Sequence, residues 1–183
     1  MLIEIKELEY QVDIHLMYAT NENFTGIPIY KKPMCYLHKD AAKALLKASQ
    51  EASSIGLKIL ILDAFRPTEA QWKLWNHTPD PNFLANPERG SPHSRGVAVD
   101  LTLLDRNGKQ LKMGTAFDAF TELSHHGNKE ISVEARQNRL LLLGIMTYAG
   151  WDFYENEWWH YQLFNAKKYP LIKDEDVPQG IMV

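Results

Sequence analysis

At 183 residues, with 45% hydrophobic and 23% charged side chains, the chain has the make-up of one globular domain with a buried core, expected over residues 1–183. A net charge of −3 gives no general pull toward nucleic acid or an anionic membrane, and the pairs Lys31-Lys32 and Lys167-Lys168 read as solvated surface. No apolar run reaches signal-peptide or membrane-span length, and the single cysteine, Cys35, cannot form an internal disulfide, so a reducing, cytoplasmic setting is expected.

In chain order, residues 1–36 mix short apolar runs with turn signals such as Asn21-Glu22-Asn23 and Gly26, and read as loop and short strand. Cys35 has no base beside it in Pro33-Met34-Cys35-Tyr36 and reads as an inert thiol. Asp40 to Ser54 is rich in Ala, Leu and Lys and is followed by Gly56, which predicts a helix with a glycine stop. Leu57 to Leu62 is a short β-prone run ending at Asp63-Ala64-Phe65-Arg66-Pro67. Thr68 and Gln71 have capping-box spacing, so a helix is expected from Thr68 to about Asn76. Residues 77–92, with Pro79, Pro81, Pro87 and Pro92, read as loop. Val97 to Leu103 alternates as a half-buried strand, and Asn107-Gly108 is a hairpin turn signal. Ser132 is placed to cap a helix running to about Ala149, with Gly150 after it. Trp158 to Leu163 is aromatic and β-prone, hence a strand. This order predicts an α+β domain, a mostly antiparallel sheet flanked by helices.

The chemistry concentrates in Ser91-Pro92-His93-Ser94-Arg95-Gly96-Val97-Ala98-Val99-Asp100 and, about sixty residues later, Glu157-Trp158-Trp159-His160. Two imidazoles and a carboxylate suit zinc better than calcium or magnesium, which prefer all-oxygen shells. Three protein ligands leave a fourth position for water, the arrangement of a catalytic zinc, and leave Glu157 free to take that water's proton. His93 and Asp100 are seven apart and would face opposite sides of an unbroken strand, so the chain must bend between them, and Gly96 is suited to the bend. Ala98 leaves room on the face of Asp100. Glu157, opposite in parity to His160, must sit at a bend or strand entrance. Taken singly, each residue also has a plain reading as loop, turn or core; the joint spacing carries the site.

The pattern Ser91-x-His93-x-x-Gly96-x-Ala98-x-Asp100 with Glu157-x-x-His160 resembles the zinc D,D-peptidases, and within them the D-alanyl-D-alanine dipeptidases. Further matches are Tyr18-Ala19-Thr20 with Asn23-Phe24-Thr25-Gly26, Asp63-x-x-Arg66-Pro67, Met113-Gly114-x-x-Phe117-Asp118, Ser124-His125-His126 and Glu134-Ala135-x-Gln137-Asn138-Arg139. The resemblance implies one zinc per chain on the sheet, held by His93, Asp100 and His160. It implies Glu157 as general base and then acid, and Arg66 at the oxyanion, where a guanidinium fork is electrostatically apt. It also implies Tyr18 and Asp118 at the substrate ammonium and Ser91 at the dipeptide carboxylate. Without it, Arg66 equally reads as a strand-end ion pair and Asp118 as a helix cap. His125 and His126 read either as orienters of a metal ligand or as a solvated or core pair, and Trp158 and Trp159 as core and wall. The loop between Trp75 and Ser91 is shorter than in the vancomycin-resistance enzymes. The activity implied is hydrolysis of the free dipeptide D-Ala-D-Ala, with small-molecule substrate and no nucleic-acid or membrane partner. The alternatives are a D,D- or L,D-carboxypeptidase acting on longer peptidoglycan stems, and a non-catalytic zinc-binding module.

Overall fold

The computed structural model describes residues 1–182. Its elements in chain order are β1 (Leu2–Glu4), α1 (Glu7–Tyr10), β2 (Val12–Ile14), β3 (Tyr36–His38), α2 (Lys39–Ser54), β4 (Lys58–Asp63), α3 (Thr68–His77), β5 (Ala98–Leu104), α4 (Val133–Tyr148), β6 (Trp151–Phe153) and β7 (His160–Leu163). Five strands form one sheet in the order β2-β4-β5-β7-β6, and β1 pairs with β3 in a small separate ribbon. Among the described residues, only the β2–β4 pairing within the larger sheet is parallel. The α+β architecture with a mostly antiparallel sheet is therefore as expected.

The two long helices, α2 and α4, pack on one face of the sheet. Leu45, Ala48 and Ala52 of α2 and Leu142, Ile145 and Met146 of α4 join Ile59 and Ile61 of β4 and Val99, Leu101 and Leu103 of β5 in the main core. These are period-2 positions on the strands and i, i+3/i+4 positions on the helices, so local pattern and packing agree. α2 and α4 are each followed by a glycine in the left-handed region, Gly56 at φ +79° and Gly150 at φ +99°, which a Cβ would disfavour. Ser132 Oγ accepts from Ala135 N at 3.1 Å, the expected cap of α4. The Asn107-Gly108 turn also forms, with Asp105 N donating to Lys109 O at 2.8 Å.

Four expectations need correction. Residues 1–36 contain the one-turn helix α1 between β1 and β2, besides loop and strand. β5 is buried along its whole length rather than half-buried, because it is the central strand; the polar alternation at Asp100 marks the site face, not solvent. Thr68 and Gln71 do not form a capping box: Pro67 occupies the cap position, Thr68 Oγ1 turns to Glu69 Oε2 at 3.1 Å, and Gln71 points inward. Finally, β7 begins at His160, not Trp158; the two tryptophans belong to the turn that enters it, where Trp158 N donates to Ser124 O at 3.1 Å.

The register places the site. Asp100 of β5 pairs with His160 of β7 on one side and with Asp63 of β4 on the other. Ile61 pairs with Leu101, so one extra residue, Leu62, is inserted before Asp63. Without this bulge Leu62 would stand opposite Asp100; with it, a carboxylate does. Asp63, Asp100 and His160 thus form a polar row across three strands at one end of the sheet.

Candidate active site

His93 lies in a single 3-10 turn, residues 93–95, that Gly96 closes at φ +67° before β5 begins. That turn supplies the bend the seven-residue spacing demanded. His93 Nδ1 donates to Ala64 O at 2.7 Å, so the proton sits on Nδ1 and the Nε2 lone pair faces inward. His160 Nε2 donates to Gln162 Oε1 at 3.1 Å, which leaves its Nδ1 lone pair facing inward too. His93 Nε2 is 3.1 Å from His160 Nδ1, His160 Nδ1 is 3.0 Å from Asp100 Oδ1, and His93 Nε2 is 3.3 Å from Asp100 Oδ1. Three acceptor atoms converge with both ring protons committed elsewhere, an arrangement that calls for a cation. A tetrahedral zinc with ligands at about 2.0–2.1 Å has edges of about 3.3 Å, close to this triangle. The residues present therefore fit such an ion, and Ala64 O and Gln162 are the outer partners that fix both ring orientations.

Glu157 sits in the turn between β6 and β7, buried, with Oε2 3.8 Å from His160 Nδ1. It sits at the entrance to β7, as the parity argument required, and faces the cluster without joining the triangle. Arg66 follows β4 and is held on three sides. Its Nε and Nη2 donate to Asp63 Oδ2 at 3.0 and 2.8 Å, and Nη1 donates to Gln71 Oε1 at 3.0 Å. Asp63 Oδ1 accepts from Tyr30 OH at 2.8 Å. Nη2 also lies 3.5 Å from Asp100 Oδ2, and the guanidinium covers the Tyr18 ring at 4.8 Å. Arg66 thus forms the strand-end ion pair, and it also lines the pocket. Tyr18 OH donates to Asp118 Oδ2 at 2.8 Å. Asp118 is no helix cap; it adopts φ +56°, a left-handed conformation that Asp tolerates better than most residues and that turns its carboxyl inward. Ser91 Oγ accepts from His93 N at 3.2 Å and lines the same pocket. All eight residues singled out in the sequence meet around one cavity of about 210 Å³.

The electrostatics of this cavity are lopsided. Asp63, Asp100, Asp118 and Glu157 face a single guanidinium. Burial, then the nearby Asp100 and Asp118 charges, pushes the Glu157 carboxyl well above the usual range. Burial and Asp100 push Asp118 up to about 8. Burial works against the Arg66 charge and Asp63 overrides it, so the fork stays cationic. A pocket with this surplus of carboxylate is built to receive positive charge.

Several residues that position the site were given no part in it by the sequence reading. Asp63, Gln71 and Gln162 orient Arg66 or a histidine, as described. Tyr154 OH donates to Asn82 O at 3.0 Å, tying the loop that carries Pro81, Phe83, Leu84 and Ala85 to the turn that carries Glu157. Gln162 had a usable signal, since it lies two residues beyond His160 on the same strand face. Among the described residues, neither His125 nor His126 hydrogen-bonds a candidate ligand. The His126 ring packs 5.1 Å from Phe153, and its backbone N donates to Glu155 O at 2.9 Å. The Ser-His-His segment serves instead as the shelf for the Glu157 turn. Arg139 of α4 fixes that shelf by donating to Met113 O, Leu123 O and His125 O. Trp158 and Trp159 are buried as core and wall, and Cys35 is a buried thiol whose pKa burial pushes up, in keeping with an inert role.

An α+β domain with two imidazoles and a carboxylate converging at a sheet end, beside a separate buried carboxylate and guanidinium, has the layout of a metal-dependent hydrolase. Sequence comparison makes this specific: residues 1–178 match the family described as D-ala-D-ala dipeptidase, and the chain belongs to that family of M15 metallopeptidases. It is 43% identical over 174 residues to the D-alanyl-D-alanine dipeptidase of Escherichia coli (strain K12), covering 95% of this chain and 90% of the relative. It is 36% identical over 198 residues to that of Enterococcus faecium, covering 96% and 93%, and 35% identical over 187 residues to that of Enterococcus faecalis (strain ATCC 700802 / V583), covering 91% and 92%. Among solved structures, an LD-carboxypeptidase overlaps with a TM-score of 0.43 at 20% identity, over 73% of this chain and 63% of that one.

Proposed function

We propose that this chain hydrolyses the free dipeptide D-Ala-D-Ala to two molecules of D-alanine, with His93, Asp100 and His160 holding one zinc ion. The observation that carries the reading is the triangle of inward lone pairs at 3.0–3.3 Å with Glu157 beside it but outside it. Zinc bound there supplies Lewis acidity for the scissile carbonyl and for an activated water. Glu157 takes a proton from the attacking water and delivers it to the leaving amine, and the burial that raises its pKa favours its holding that proton in between. Arg66 stands where negative charge develops on the carbonyl oxygen, its fork held rigid by Asp63 and Gln71. Asp118 and Tyr18 receive the substrate ammonium, whose charge draws Asp118 back to its ionised form. Ser91 stands at the dipeptide carboxylate end.

The cavity of about 210 Å³ lies below the range of about 300–1,000 Å³ usual for drug-sized ligands, which favours a dipeptide over a longer stem. Among the described residues, no helix is long and apolar enough to cross a membrane. In this reading the protein acts in the cytoplasm as a single domain over residues 1–183, and its one cysteine, Cys35, is buried. Turnover of D-Ala-D-Ala beside N-acetyl-D-Ala-D-Ala tests the substrate: the free dipeptide should be cleaved far faster. Equal or faster cleavage of the acylated peptide would replace this reading with a carboxypeptidase. Cleavage of neither by zinc-loaded protein would favour the non-catalytic module.

A further inference from the structure

Gln71 is a buried amide on the first turn of α3 with both ends engaged. Its Oε1 accepts from Arg66 Nη1 at 3.0 Å, and its Nε2 donates to Ala85 O at 2.7 Å. Ala85 belongs to the segment Pro81–Ala85 that forms one wall of the active-site cavity. The other end of this segment is tied at Asn82 O by Tyr154 OH at 3.0 Å and by Asn156 Nδ2 at 3.4 Å. Its middle leans on the aromatic wall, with Phe83 stacked on Phe120 at 4.9 Å and 10°. The wall thus hangs on two polar points, one on the turn of Glu157 and one on the partner of Arg66. A glutamine is the side chain that can serve the second point, because it offers an acceptor to a guanidinium and a donor to a carbonyl at once.

We infer that Gln71 is a positioning residue that couples closure of the 80–90 loop to the placement of Arg66, so that a closed pocket and an oriented guanidinium occur together. The inference rests on the reading of Arg66 as the group at the developing oxyanion. Two near-isosteric substitutions separate the two functions. Gln71→Glu keeps an oxygen for Arg66 and sets an acceptor against Ala85 O. Gln71→Met removes both bonds.

Hydrogen exchange of the zinc-loaded protein reads the loop without any substrate. Amides of residues 80–90 should exchange about tenfold faster in both variants, with β5 and α4 unchanged, as expected for loss of one buried hydrogen bond. In turnover of D-Ala-D-Ala, KM should rise about tenfold in both variants, whereas kcat should fall about tenfold in Gln71→Met alone and stay within about threefold in Gln71→Glu. Unchanged loop exchange in both variants would overturn the inference, and so would equal loss of kcat in the two. If unmodified protein does not cleave D-Ala-D-Ala, the dipeptidase reading fails, and the exchange experiment still decides whether Gln71 holds the loop.

Discussion

Replacing Arg66 by alanine should harm the protein in two separable ways. Asp63 is fully buried and would keep only the Tyr30 hydroxyl once both guanidinium bonds are gone. Removing one partner of a buried ion pair costs about 3–5 kcal/mol, a large share of the roughly 5–15 kcal/mol by which a domain is stable. The oxyanion role predicts in addition a loss of about a hundredfold or more in kcat. The double variant Arg66→Ala/Asp63→Asn removes the stranded charge, and the oxygen of the substituted amide still accepts from Tyr30. Urea unfolding of zinc-loaded proteins should therefore show the double variant recovering at least about 2 kcal/mol of the loss. Steady-state turnover of D-Ala-D-Ala should show no matching recovery of kcat. If activity returned in step with stability, Arg66 would be a structural ion pair only, and the electrostatic argument for its catalytic role would be refuted.

His126 should make stability pH-dependent. Burial, then Arg139, pushes its pKa down to about 4, so the folded protein keeps it neutral while the unfolded chain takes up a proton near its ordinary value. Stability from this group is complete above about pH 6.5, falls as pH drops through about 4 and levels below it, by about 3 kcal/mol at most. Urea titrations at several pH values should show this slope in the unmodified protein relative to His126→Phe, and parallel curves would remove the buried-histidine account. Gln162→Leu should lower zinc affinity about 10–100-fold with the three candidate ligands intact, because it frees the His160 ring; chelator competition measures this, and unchanged affinity would strip Gln162 of that role. Asp118→Ala should slow the free dipeptide far more than the acylated peptide and so narrow the preference, since it removes the carboxylate proposed to hold the ammonium; a uniform loss on both substrates would place Asp118 elsewhere in the chemistry.

What could be read from the chain, and what could not, divides along physical lines. That His93, Asp100, Glu157 and His160 would meet was legible because the chemistry proposed for them demands particular side chains, and the parity of their spacing forced the bends that Gly96 and the 155–159 turn provide. The helices α2 and α4 were legible because capping residues and glycine stops are local signals. The bulge at Leu62 was not legible, since it is set by pairing with a strand some forty residues away, and with it went the role of Asp63. Gln71 was misread because its spacing from Thr68 satisfies a local rule, while the guanidinium and the Ala85 carbonyl that it meets come from outside its helix. The three-residue strands β1, β2 and β6 carry too few residues for a period to show, so the edges of the sheet emerged only from the fold.

The most direct test of the account measures bound zinc and turnover on one sample of the Glu157→Gln protein. The amide preserves shape in the buried turn but cannot shuttle a proton. The account predicts about one zinc per chain, as in the unmodified protein, with D-Ala-D-Ala turnover lower by about 10²–10⁴-fold. Zinc lost together with activity would make Glu157 a ligand rather than the proton carrier. Zinc retained with turnover near that of the unmodified protein would contradict the assignment of Glu157 altogether.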